Sequence, residues 1–162
     1  MNLKYQKQLV SILTLSIILG TSFNLLRNDG IPWLAKPIKK LDSATDIDKK
    51  NEEPTIREIN LETAKTLQSS GSLFVDARAE EYLDDGFIPG AIANDDFDIL
   101  SDSIASLIGY DKRFVVYCSD DDCGSSEELA YMLQDFGFND ILVFKGGWKT
   151  WSEAGLGLEF NE

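Results

Sequence analysis

The sequence predicts an α/β domain with a mainly parallel sheet, carried behind an apolar amino-terminal segment. Three observations lead there. Short apolar runs alternate with helical patterns from about Thr55 onward, the mark of strands joined by crossover helices. One of these runs, Phe114 to Tyr117, ends on Cys118 and is followed by a loop of small and acidic residues and then a helical pattern. Finally, Leu9–Leu26 contains no charged residue, and eighteen residues at about 1.5 Å each reach roughly 27 Å, enough to cross a hydrocarbon core of about 30 Å.

Residues 1–27 therefore read as a transmembrane anchor or a secretory signal. Gly20 and Ser22 are the small residues a cleavage site would use, but the apolar run continues past them, which favours a retained anchor. Topology signals oppose each other. Arg27, Lys36, Lys39 and Lys40 outnumber Lys4 and Lys7, which favours a cytoplasmic domain. A very short tail ahead of the first apolar segment instead favours export of the domain behind it. In an oxidising compartment a Cys118–Cys123 disulfide becomes available. Residues 28–54 form a tether, with Trp33 suited to the headgroup level and a polar stretch from Asp42 to Glu53.

In the domain, 55–162, Ile56–Ile59 is a strand, and Asn60 caps a helix from Leu61 to about Gln68 with Glu62 in its first turn. Ser70-Gly71-Ser72 ends that helix, and Leu73–Ala77 is a second buried strand. Glu80–Asp84 is a short helical turn closed by Gly86, and Ile88-Pro-Gly-Ala-Ile92 a turn with a short apolar piece. Phe97–Leu107 is helical in part, with Leu100, Ile104 and Leu107 on one side. After the Phe114 strand comes a helix over Ser125–Phe136, whose Leu129, Met132, Leu133 and Phe136 share a face. The strand Ile141–Phe144, the turn Gly146-Gly147 and a helix from Trp148 to about Glu153 complete the chain.

Composition narrows the function. Residues 1–40 carry six Lys/Arg and one acid, a net of +5, while the whole chain is at −13, so residues 41–162 carry the difference, −18. So acidic a domain repels nucleic acid and anionic lipid, and no nucleic-acid partner is expected. There is no histidine and only two cysteines, which removes His-based acid–base chemistry, Cys–His dyads and a four-thiolate zinc site. Neither cofactor nor metal is expected. Cys118 stands where open α/β sheets bind ligands, ahead of helix N–H groups able to steady an anion or a thiolate. It is either a reactive thiol or an inert core cysteine.

Three stretches, in order, carry a resemblance. Leu73-Phe-Val-Asp-Ala-Arg-Ala-Glu-Glu-Tyr82 with Gly86-Phe-Ile-Pro-Gly-Ala-Ile92, then Val115-Val-Tyr-Cys118, then Leu142-Val-Phe-Lys-Gly-Gly-Trp148 with Trp151 and Gly155, resemble rhodanese-like domains over roughly residues 55–160. The resemblance implies a three-layer sandwich with a central parallel sheet and sulfurtransferase chemistry. Cys118 would take a sulfane sulfur, hold it as a persulfide and pass it to a thiol acceptor. The partners it implies are a sulfur donor and a thiol acceptor, protein persulfides among them; the membrane, through residues 9–26, is expected from the apolar run instead. Asp76 and Arg78 are expected to support the structure. The active-site loop is Ser119, Asp120, Asp121, Asp122, Gly124, Ser125 and Ser126.

This sequence departs from that family in its loop, which is about two residues longer and has Ser125 near the expected cation. Three aspartates disfavour a dianion such as thiosulfate, and without an Arg phosphoryl transfer is disfavoured too. Cys123 could resolve a persulfide or sulfenate on Cys118 by forming a disulfide. Two alternatives stand beside sulfur transfer: thiol–disulfide redox chemistry through Cys118 and Cys123, and a catalytically inactive binding module.

Overall fold

A computed structural model of the chain describes residues 3–27, 38–40, 55–120 and 122–160. Two units are separable, Met1–Pro37 and Ile38–Glu162. In the first, α1 (Leu3–Leu26) includes a 22-residue stretch, Tyr5–Leu26, of mean hydropathy 2.0 with no part of it buried. It is long and apolar enough to span a membrane. Trp33 and most of the tether lie outside the described residues. Within that tether, however, Lys39–Lys40 form a two-residue strand, β1.

The second unit follows the alternation read from the sequence. β2 (Thr55–Ile59) leads into α2 (Leu61–Ser69), whose first turn is capped by Asn60 accepting from the Thr63 N–H at 2.9 Å. β3 (Phe74–Asp76), a 3-10 helix over Glu80–Asp85 and β4 (Ala91–Ile92) come next. Then follow α3 (Phe97–Ile108), β5 (Phe114–Tyr117), α4 (Ser125–Phe136), β6 (Asp140–Phe144) and α5 (Gly147–Glu153). The sheet runs β1-β2-β6-β5-β3-β4, and every pairing in it is parallel.

A parallel sheet is covered on both faces, so its strands are apolar at every position rather than at alternate ones. β5 and β6 divide accordingly. Val115, Tyr117, Leu142 and Phe144 pack on one face with Ala64 of α2 and Trp151 of α5. Phe114, Val116, Ile141 and Val143 pack on the other with Leu100 and Ile104 of α3 and Ala130 and Leu133 of α4. These two cores make the expected three layers.

Two helix faces differ from the expectation. On α4 the buried side chains are Ser126, Ala130 and Leu133, while Met132 and Phe136 are exposed. On α3, Ser101 is fully buried and Leu107 is 60% exposed. The rest of each face is as expected: Leu100 and Ile104 of α3 and Leu133 of α4 are buried in the core on the sheet.

Candidate active site

Parallel strands all deliver their carboxyl ends to the same edge, which gathers the loops that follow them. β3 and β5 are neighbours, with Asp76 opposite Tyr117 and the Ala77 N–H donating to the Tyr117 carbonyl at 2.8 Å. The loops that begin at Ala77 and at Cys118 therefore start side by side.

The first loop is built around a buried ion pair. Arg78 Nη2 lies 2.7 Å from Asp76 Oδ2, and Nε lies 3.0 and 3.1 Å from the two carboxylate oxygens. The same guanidinium donates through Nη1 to the Tyr82 carbonyl at 3.3 Å and through Nη2 to the Gly86 carbonyl at 2.9 Å. Every guanidinium nitrogen thus has an acceptor, and both residues are buried. Burial works against the Arg78 charge, but the hydrogen bonds and charge of Asp76 outweigh it and hold its pKa above the ordinary value. Tyr117, fully buried beneath this pair, accepts from the Ile88 N–H at 3.1 Å. Burial first, then the Asp76 charge and a hydrogen bond to it, push the phenol well above its ordinary pKa. Sequence reasoning assigned Tyr117 only to the strand. Its position one residue before the cysteine was the available signal.

The second loop begins at Cys118, which is 3% exposed. Cys118 is bonded to Cys123, five residues on, with their Cα atoms 6.2 Å apart. A turn makes this closure: the Cys123 N–H donates to the Asp120 carbonyl at 3.2 Å, and Asp120 Oδ1 accepts from the Asp122 N–H at 3.2 Å. Ser119, Asp120 and Cys123 are half-buried, whereas Asp122, Gly124 and Ser125 are exposed; Asp121 lies outside the described residues. Ser126 belongs to α4 and is fully buried, and its Oγ has no hydrogen-bond partner among the described residues.

The start of α5 fixes the loop from the far side. The Trp148 N–H donates to the Cys118 carbonyl at 2.8 Å and the Lys149 N–H to the Ser119 carbonyl at 2.9 Å. Gly147 makes this approach possible. Its φ is +59°, and a Cβ there would stand 2.3 Å from the Cys118 carbonyl oxygen. The Trp148 ring also lies under Arg78, with the guanidinium carbon 5.3 Å from its centroid, so the closing motif touches both loops.

A basic group does reach this edge, though not near Ser125, where the resemblance leads one to expect it. Lys145, just past β6, pairs with Glu127 in the first turn of α4 and lies 4.0 Å from Glu58. A cleft of about 370 Å3 opens between the loop after β3 and α4, lined by Arg78, Asn94, Asp95, Ser125, Leu129 and Met132 among others. A larger hollow of about 660 Å3 runs along α3, and neither cavity is lined by Cys118 or Cys123. Among the described residues, no group of three or more Cys, Asp or Glu side chains is arranged to hold a metal ion.

With this geometry in place, comparison with known proteins is decisive for the family. The Rhodanese-like domain model matches residues 60–154, more than half of the chain. The chain belongs to the rhodanese-like domain family. Among solved structures it is similar to a Rhodanese-like domain protein from Staphylococcus aureus, at 23% identity and a TM-score of 0.52 over 65% of this chain and 98% of that one. It is also similar to the Rhodanese-like domain of the Alr3790 protein from Anabaena sp., at 23% identity and 0.52 over 68% and 81%. A third likeness is to thiosulfate sulfurtransferase from Pseudomonas aeruginosa, at 19% identity and 0.55, covering 74% of this chain but 22% of that one. At these identities the likeness is one of fold. No curated protein matches the sequence.

Proposed function

We propose that the domain is a rhodanese-type sulfurtransferase that handles sulfane sulfur through a persulfide on Cys118, and that α1 holds it to a membrane as a single-pass anchor. The observation that carries this reading is the placement of Cys118. It lies at the carboxyl end of β5 and just ahead of α4, with its backbone locked by the Trp148 N–H. In the reduced chain its thiolate attacks the outer sulfur of a donor. The new S–S bond forms as the donor's own thiol or sulfite leaves, and the persulfide then passes its terminal sulfur to an acceptor thiol. The amide groups at the start of α4 favour the anionic persulfide. Asp120, Asp122, Glu127 and Glu128 disfavour a dianionic donor such as thiosulfate. A neutral or cationic donor, a protein persulfide or a polysulfide fits better.

The Cys118–Cys123 bond favours a second reading, thiol–disulfide exchange, and it makes reduction a precondition of sulfur transfer. The test is mass spectrometry of the full chain in detergent, reduced, cleared of reductant and offered polysulfide or thiosulfate. Sulfur transfer predicts one added sulfur on Cys118, more readily from polysulfide, that is absent in Cys118→Ser. Absence of that gain with both donors would sink the carrier reading and leave a redox or binding role.

A further inference from the structure

We infer that Cys123 is the sulfur acceptor's first stand-in: its thiolate resolves the Cys118 persulfide, releasing sulfide and closing the disulfide seen in the structure. The inference rests on the persulfide reading above and adds to it a product, hydrogen sulfide, and a co-reactant, an external dithiol.

Cys123 is within bonding range of Cys118 on the same loop, and with the bond closed Cys118 is 3% exposed. An attack within one loop replaces a bimolecular encounter, which gives it a large advantage in effective concentration. The two ends of the loop are also unequal. The backbone at Cys118 and Ser119 is clamped by the Trp148 and Lys149 N–H groups, while Cys123 sits on a tight turn whose neighbours Asp122 and Gly124 are exposed. The fixed sulfur is thus the one loaded, and the attacking sulfur rides on the turn.

The step balances. The terminal sulfur of the Cys118 persulfide takes up a proton from water, Cys123–S⁻ attacks Cys118 Sγ, the Cys118–Cys123 bond forms, the bond from Sγ to the terminal sulfur breaks, and HS⁻ departs with that proton. The terminal sulfur is reduced by two electrons, and the two cysteine thiols together are oxidised by two. An external dithiol, protein-borne or small, then reduces the disulfide and is itself oxidised, and the cycle can restart.

The test uses the full chain in detergent, reduced and kept under nitrogen, and a glutathione persulfide donor, whose leaving group is a thiol, so that released sulfide counts the second step. The wild type is expected to release one sulfide per chain and to yield a Cys118–Cys123 linked peptide; adding dithiothreitol should make release catalytic. Cys123→Ser should hold the added sulfur on Cys118 and release no sulfide until dithiothreitol is added. If the wild type instead keeps a stable persulfide as Cys123→Ser does, the carrier reading stands and this inference fails. If neither protein loads, both fail. If far-ultraviolet circular dichroism shows the fold lost on reduction, the bond is a structural staple and the inference also fails.

Discussion

Two loops leave adjacent strands at one edge of the sheet, and they treat charge in opposite ways. After β3, Asp76 and Arg78 are buried, and each guanidinium nitrogen has an acceptor within 3.3 Å. After β5, the polar groups are half-buried or exposed, the acids have no buried cation among the described loop residues, and the closure is a disulfide. The Trp148 region joins the two, stacking under Arg78 and holding the Cys118 carbonyl. The contrast teaches that position at a strand's carboxyl end does not by itself make a reactive loop. What separates them is whether the polar groups are already satisfied by one another. A satisfied network makes a rigid wall, and the loop against that wall is the one in which the proposed chemistry is placed.

The sharpest way to break the comparison is to remove the wall. Arg78→Ala leaves Asp76 buried without its partner, and breaking such a pair costs about 3–5 kcal/mol, a large part of the roughly 5–15 kcal/mol that holds a domain together. Urea unfolding of the reduced full chain should show that loss. A change below about 1 kcal/mol would put the two loops on the same energetic footing and defeat the distinction.

Tyr117 supplies a smaller, pH-dependent test of the same wall. Its folded pKa lies above the ordinary 10.0, so the folded state keeps the phenolic proton after the unfolded chain has lost it. Its contribution to stability is therefore complete below pH 10.0 and falls as pH rises above that value. The expected slope is at most about 1.4 kcal/mol per pH unit for one proton. Tyr117→Phe should flatten this alkaline limb in thermal melts at pH 9 to 11, at a cost near neutral pH of about 1 kcal/mol for the lost hydrogen bonds. An unchanged slope would show that Tyr117 is not the group that titrates.

How far the sequence alone reached can be traced through particular residues. β5 and β6 were legible because a strand buried on both faces is apolar throughout, and Phe114–Tyr117 and Ile141–Phe144 have no other reading. The rhodanese-like fold was legible because the stretches around Asp76, Cys118 and Gly147 resemble the family's and occur in its order; the structure places them along one edge. β1 was not, because its two residues are lysines, which suit an edge strand and carry no apolar signal. The faces of α3 and α4 were read in part: Leu100, Ile104 and Leu133 are buried as expected, while Leu107, Met132 and Phe136 are exposed, and Ser101, Ser126 and Ala130, small residues that periodicity does not weight, are buried. At the site, a five-residue spacing allowed either two thiols or a disulfide, and only the turn at Asp120–Cys123 brings the sulfurs together.

The gentlest perturbation addresses the acids of the second loop. A carboxylate about 5–6 Å from a thiolate costs on the order of 1–3 kcal/mol when solvent screens it incompletely, and less when it points into water. Asp122 is exposed and Asp120 half-buried, with its carboxylate turned onto the loop's own backbone, so the double change Asp120→Asn and Asp122→Asn should fall at the lower end. Stability should stay within about 0.5 kcal/mol, as for surface substitutions generally. The rate at which reduced Cys118 reacts with iodoacetamide near neutral pH should rise by roughly three- to tenfold, through a larger thiolate fraction. Sulfur loading from thiosulfate should rise further than loading from a neutral donor, because the dianion is repelled twice over. Added salt should narrow the gap between wild type and variant, since screening removes what the substitutions remove. A gap that persists unchanged at high salt would mean that the aspartates act by shaping the turn to Cys123 rather than by charge, and it would move the second loop closer in kind to the first.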